Sequence, residues 1–337
     1  MPGEGLTPES SLEDLAKIRG GMWSQGLPDL PWGPRAGDPT NIIDTGALFD
    51  YSEADQDRIL AHLNAQAYTH ADTGPIYDGE GYHGHWPSHD WTTPEAFSRW
   101  LDLHEKIWSA GIAPVTFLKP DNWTFEQFEA TMARLLADPA INARAQRLIR
   151  IIVPAGWEPT KYDWSSNTWL LFFQWGRRMF PNALCLVHTV SDVDACVGTD
   201  ARGDDNGKIT NGEAWQKHAP YLHGWLTQSN AFENPTERGD PNHPEKTNFD
   251  NWTDNFDVRV EYGYANRFRN GHAGWPTGSA FGPSVPMKIY AGEYSAYWRF
   301  NHADRTQAEG MAWGDRALGV GADGAFDEYT AKAGDGV

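Results

Sequence analysis

The feature that most constrains the fold is an alternation. Short apolar or β-branched runs are followed repeatedly by amphipathic stretches of helical period. Two parallel strands need a crossover long enough to hold a helix, so this order points to an α/β protein with parallel strands. Strands are expected near 41–49, 67–71, 113–118, 148–154, 183–189, 224–228, 287–291 and 321–326. Helices are expected over 53–66, 125–137, 168–180, 258–268 and 303–318, with 212–221 partly helical. A further helix starts at Thr93-Pro94-Glu95, with Thr93 capping and Pro94 in the first turn, and ends at Gly111. Ser52 is placed to cap the helix that follows it. Eight strand-like runs within about 300 residues fit a (β/α)8 barrel with long loops. A doubly wound sheet is the runner-up, but it calls for a Gly-rich phosphate turn after the first strand, and none follows Phe49. Residues 1–40, rich in Pro, Gly and charge, read as an N-terminal arm with a short helix at Leu12–Ile18. Residues 41–330 read as the barrel, 331–337 as a C-terminal tail, and 231–257 as a polar surface insertion.

Charge narrows the partners. With 27 Lys and Arg against 46 Asp and Glu, the net charge is −19, which repels a phosphate backbone and argues against nucleic acid. No apolar run approaches the roughly 18 residues of a membrane span, so no membrane insertion is expected. The first residues, MPGEGLTPESSLEDLAK, lack the charged-then-apolar pattern of a secretory signal. The oligomeric state is not written in the sequence. Cys185 and Cys196 are either a pair or two thiols, and two cysteines make neither a disulfide scaffold nor a zinc ribbon. The 17 Trp stand out. About half are expected in packing; the rest suit stacking surfaces for sugar rings.

In a (β/α)8 barrel the reactive groups collect where strands end. The expected second strand hands over Thr69-His70-Ala71-Asp72, and the third Lys119-Pro120-Asp121-Asn122-Trp123. The fourth hands over Gly156-Trp157-Glu158, the fifth His188 and the sixth Gln228. The seventh gives Gly292-Glu293-Tyr294, with Trp298 beyond it, and the eighth Asp323. Polar groups at nearly every strand end, in phase, imply a lined pocket. Glu158 and Glu293 are the sharpest pair, because the fourth and seventh strands face each other across a barrel mouth. Two converging carboxylates are what glycosidic bond cleavage needs, one to protonate the leaving oxygen and one on the opposite side of the bond. Each Glu alone would read as a solvated carboxylate or an ion-pair partner, for example of Arg150 or Arg299.

On these residues, IIVPAGWEP around Glu158 and KIYAGEYSAYW around Glu293, the chain resembles the clan of retaining (β/α)8 glycoside hydrolases. The resemblance implies Glu158 as acid/base and Glu293 as nucleophile. It also implies a poly- or oligosaccharide substrate and no cofactor. Trp157 stands where that clan has Asn directly before its acid/base. His70, Trp86, Trp91, Asp121, Trp123, Trp157, His188, Gln228, Tyr294 and Trp298 are then the expected substrate-binding residues. The texture of YTHADTG, YHGHW, PVTFLKPDNW and FPNALCLVH also looks like stand-alone barrels encoded among tailed-phage structural genes. That likeness implies a virion or extracellular setting. It offers a second reading, a catalytically silent barrel that binds carbohydrate as a receptor-recognition component.

A third reading is a metal-dependent hydrolase. His83 and His85 have a metal-ligand spacing, His89 and Asp90 follow, and His188 and Asp323 are possible companions. Such sites place the His pair at the end of the first strand, whereas this pair sits in a Gly/Pro loop after the second, so no metal is expected. The stretch RGDDNGKITNGE, 202–213, imitates a calcium loop: with Gly207 at the sixth place, Asp204, Asn206, Ile209 and Glu213 fit, but Arg202 occupies the first ligand place and cannot bind a cation, so it reads as a turn-rich loop, with Asp200 and Asp205 as further carboxylates for an irregular site.

Overall fold

The computed structural model describes residues 5–21, 48, 52–65, 67–73, 76–77, 92–119, 123–154, 166–189, 216–228, 277–294 and 323–327. Its strands are β1 (Arg19–Gly21), β2 (His70–Asp72), β3 (Ile76–Tyr77), β4 (Ala113–Lys119), β5 (Ile151–Val153), β6 (Leu184–Thr189), β7 (Gly224–Gln228), β8 (Lys288–Tyr294) and β9 (Gly324–Asp327). Its helices are α1 (Leu12–Leu15), α2 (Glu53–Ala65), α3 (Pro94–Ser109), α4 (Phe125–Leu135), α5 (Pro139–Leu148) and α6 (Ser166–Met179), with a 3₁₀ turn at Ala219–Tyr221.

The pairings between named strands are all parallel. β1 pairs with β2, β2 with β4, and β3 continues the same ladder against β4. The order then runs β4–β5–β6–β7–β8–β9, and β9 pairs with β1. The result is an α/β fold, a strongly curled parallel sheet flanked by helices and broadly like a TIM barrel. Its two faces separate by register. Thr116 donates its hydroxyl to Nε2 of His104 on α3, at 2.9 Å, and Gly176 on α6 approaches Cys185. Thr116, Ile152 and Cys185 share one register and so mark the convex, helix-covered face. The alternate set, which includes Asp72, Phe117, Val153, Leu186, His188, Leu226 and Tyr290, lines the concave face.

Several helix boundaries follow from local chemistry. Thr93 caps α3 by accepting from Ala96 N, and Pro94 opens the helix, as expected from the sequence. Ser52 accepts from Asp55 N at 3.2 Å ahead of α2. Thr124 and Gln127 form a reciprocal capping box on α4. Asp138 caps α5, with Pro139 in its first turn. The expected strand over 148–154 is therefore shorter, because Leu148 closes α5 and only Ile151–Val153 enters the sheet. Arg150 lies outside that strand and donates to Asn182 O and Ser10 O.

The start of the chain differs most from expectation. A strand was expected at 41–49; instead Arg19–Gly21, within the segment read as an arm, lies between β2 and β9. Leu48 is buried and is not part of a strand; the rest of 41–49 lies outside the described residues. The expected helices 258–268 and 303–318 and the insertion 231–257 also lie outside them. Among the described residues, no helix is long and apolar enough to cross a membrane.

Candidate active site

The sheet has a lower end, where strands begin, and an upper end, where they finish. The lower end is built from polar groups that satisfy backbone. His70 begins β2 and is fully buried. Its Nε2 donates to Leu15 O at 2.9 Å, and its Nδ1 accepts from the Thr69 hydroxyl at 2.7 Å. Burial pushes its pKa down to about 4, against the opposing pull of the Leu15 bond. Expected at a strand's exit, His70 stands at its entrance and fastens α1 beneath the sheet. The fully buried Tyr290 does the same from β8, donating to Ala16 O at 3.0 Å. Asp323 makes the same correction. It precedes β9, accepts from Ile289 N at 2.9 Å and pairs with Lys288 at 3.2 Å. The residue that ends β9 is Asp327.

At the upper end, β2 finishes with Asp72, β4 with Lys119, β6 with His188-Thr189 and β7 with Gln228. β8 finishes with Gly292-Glu293-Tyr294. Gln228 is paired with Gly292, and Tyr294 with Asp327. His188 is fully buried on the concave face, with its ring edge-on to Phe117 at a centroid distance of 6.3 Å. Glu293 lies one residue before the end of β8, inside a register shift between Ala291 and Tyr294. Such irregularities change which residues of a strand share a face. Of the expected site residues, then, His188, Gln228, Glu293 and Tyr294 lie at strand ends of one edge of the sheet.

Trp123 sits just before the α4 cap, partly buried against the main core. Glu158, Trp157, Trp86, Trp91, Asp121 and Trp298 lie outside the described residues, as do His83, His85, His89, Asp90, Asp200 and the 202–213 loop. Cys185 carries a free, buried thiol whose pKa burial raises to about 12; Cys196 lies outside the described residues. Trp100, Trp108, Trp169, Trp175 and Trp225 are all core residues, so this part of the tryptophan excess is packing.

Sequence reasoning missed two things. One is Asp72, named at the end of the second strand but not counted among the site residues, which is 1% exposed. The other is Asp327, which a strand boundary placed a few residues later would have revealed.

No family model matches the chain, and no curated protein matches it in sequence. Solved structures are similar in overall fold. A candidate alpha-L-fucosidase from Bacteroides thetaiotaomicron is 11% identical over 97% of this chain and 88% of its own, with a TM-score of 0.49. An endo-1,4-beta-D-mannanase from Thermotoga petrophila is 12% identical over 84% of this chain and 85% of its own, with a TM-score of 0.44. An exo-beta-1,4-mannosidase from an Opitutaceae bacterium is 13% identical over 93% of this chain and 52% of its own, with a TM-score of 0.49. At such identities nothing about activity passes from those proteins to this chain.

Proposed function

We propose that the chain is a single (β/α)8 barrel acting as a retaining glycoside hydrolase on a poly- or oligosaccharide. In this reading β2 and β3 count as one strand and β1 is the first. The pairings then form a circuit of eight strands, with β5 fourth and β8 seventh. Followed through the regular lower part of each ladder, the register returns displaced by about eight residues, the shear of such a barrel.

The observation that carries the functional reading is the position of Glu293, at the exit of the seventh strand and within its register shift. Glu158 follows the exit of the fourth strand by a few residues. Glu293 is the nucleophile and Glu158 the acid/base, separated by about 5–5.5 Å as retention requires. Glu158 protonates the leaving oxygen as Glu293 attacks the anomeric carbon. Glu158 then deprotonates the water that releases the glycosyl group from Glu293. Gln228, His188 and Tyr294 line the same edge, and Trp86, Trp91, Trp157 and Trp298 supply stacking.

The test is a panel of glycans and aryl glycosides read by mass spectrometry for cleavage, with NMR of the first-formed anomer. Cleavage with retention is expected, abolished in Glu293→Gln. Inversion refutes the nucleophile assignment. Saturable binding without cleavage leaves the carbohydrate-binding barrel, which Trp157 in place of Asn favours. No binding at all refutes both.

A further inference from the structure

The strand that joins β9 to β2 is thinly held. β1 brings no apolar side chain, and α1 before it is a single turn. From Gly5 to Gly20 only Leu15, Ala16, Ile18 and Gly20 are buried. A segment with so little buried apolar surface opens locally at a lower free energy than the core strands. Beyond the β1 ladder its attachments to the body are polar. Leu6 N donates to Gly111 O, Arg150 to Ser10 O, His70 to Leu15 O and Tyr290 to Ala16 O.

Of the side chains in this set, His70 is the one whose ordinary charge change falls between neutral and mildly acid pH. It is fully buried, and Gly20 is its partner across the ladder. Both ring nitrogens are spent on neutral groups: Nε2 donates to Leu15 O, and Nδ1 accepts from the Thr69 hydroxyl. Thr69 in turn holds β1 at Arg19. Its amide donates to Arg19 O at 2.7 Å, and its hydroxyl oxygen accepts from Arg19 N at 3.2 Å. A second proton on the ring must sit on Nδ1, which then no longer accepts. The Thr69 hydroxyl can turn to Arg19 O, at 3.2 Å, but the new charge stays buried beneath α1. Burial opposes that charge and holds the His70 pKa down to about 4. With the segment gone, the ring meets water and its affinity for the proton returns to the ordinary value of about 6.5.

We propose that residues 5–21 form an acid-released strap: protonation of His70 detaches α1 and β1 and opens the circuit between β9 and β2, while the sheet from β4 to β8 stays folded. This does not depend on the chemistry at the upper end. The other ionisable groups around His70 are Glu9, Glu13, Asp14 and Lys17 on the strap, with Asp14 paired to Lys17, and Arg19 on β1. Asp72 lies further along β2, Lys119 ends β4, Tyr290 is on β8, Arg150 holds Ser10 O, and Asp323 pairs with Lys288 beside β9. Ordinary carboxylates titrate near 4, below the range in which an exposed histidine takes up its proton.

The test is hydrogen exchange of the full-length protein, read by mass spectrometry and corrected for the intrinsic rate at each pH. Opening of segment 6–21 should rise about tenfold between pH 6.5 and pH 5 and reverse on neutralisation. Segments 184–189 and 224–228 should keep their protection. No rise overturns the proposal, and so does a loss of protection in all segments together. His70→Gln keeps a donor for Leu15 O and cannot take the charge, so the strap should lose its pH dependence. A dependence that survives in this variant overturns the proposal and passes the role to another group, such as Asp72. If His70→Gln does not fold, Tyr290→Phe decides. It removes the bond to Ala16 O and nothing that titrates in this range, so opening should rise by the same factor at every pH. A pH dependence that disappears in Tyr290→Phe overturns the assignment to His70.

Discussion

The two ends of the sheet use the same residue types for opposite purposes. At the lower end, His70, Tyr290 and Asp323 each spend their polar atoms on a backbone group: Leu15 O, Ala16 O and Ile289 N. These bonds join α1 and the strand entrances into one unit. At the upper end, Asp72, His188, Gln228, Glu293, Tyr294 and Asp327 come from five different strands and share only the edge at which those strands finish. A histidine or aspartate in sequence does not say which end it occupies. Only the strand boundary says so, and a shift of a few residues turns a site residue into a fastening.

The contrast predicts that variants at the two ends fail differently. The largest effect belongs to Glu293→Gln. Loss of the proposed nucleophile should cut turnover by on the order of 10⁴-fold or more, with the melting temperature nearly unchanged. A melting temperature that collapses along with activity would move Glu293 to the fastening class.

The buried histidines of the lower end and of the convex face should make the fold fail in acid. Burial lowers the pKa of His70 and His104 to about 4 and of His223 to about 3. The unfolded chain binds protons near the ordinary value of 6.5, before the folded protein does, so stability falls as pH drops from about 6.5 towards 4 and levels off once the folded side chains titrate. The combined loss is on the order of several kcal/mol. Urea midpoints measured across that window should show the slope, and His104→Gln should flatten it. A midpoint independent of pH would mean that these histidines are not held neutral.

Gly224→Ala gives a smaller effect at the lower end. A Cβ at this position would stand 2.6 Å from the Tyr290 ring and 3.1 Å from the Lys288 carbonyl oxygen. Tyr290 is held by Ala16 O and Lys288 by the β7–β8 ladder, so neither yields freely. The expected cost is about 1–3 kcal/mol of stability, with turnover per folded molecule retained. A variant that is fully stable but inactive would contradict the division of labour.

Much of this was legible in the sequence, and the failures have physical causes. The strand Gly224–Gln228 and the start of Ala113–Lys119 were read correctly, because apolar residues there coincide with sheet pairing. β1 was invisible. Arg19-Gly20-Gly21 has no apolar side chain and poor strand propensity, and it is a strand because neighbours pair with it on both sides. Near β4 and β5, apolar residues run past the strand edges: Ile112 and Ile149 are buried core but precede their strands. Hydrophobicity therefore locates the core better than the register. The same blurring hid α5, where Asp138-Pro139 was a helix start in plain view. Of the candidate site, the position of Glu293 was legible as the end of a strand; the register shift around it was not, since it is a relation between two strands.

The smallest effect sharpens the comparison most, because it concerns a polar residue at the upper end that should not matter for chemistry. α4 follows β4, so its first turn lies on the side where the strand exits. Thr124 accepts from Gln127 N at 3.3 Å, and Gln127 Oε1 accepts from Thr124 N at 2.8 Å. These bonds satisfy orphan donors of the first turn and hold the chain as it leaves Trp123. Thr124→Ala removes half of the box and should cost about 1 kcal/mol, read as a lowered denaturation midpoint. Turnover at a temperature where the variant is folded should remain native. If Thr124→Ala instead lost activity without losing stability, proximity to the upper end would itself predict function, and the distinction between fastening and site residues would have to be drawn by contact rather than by end.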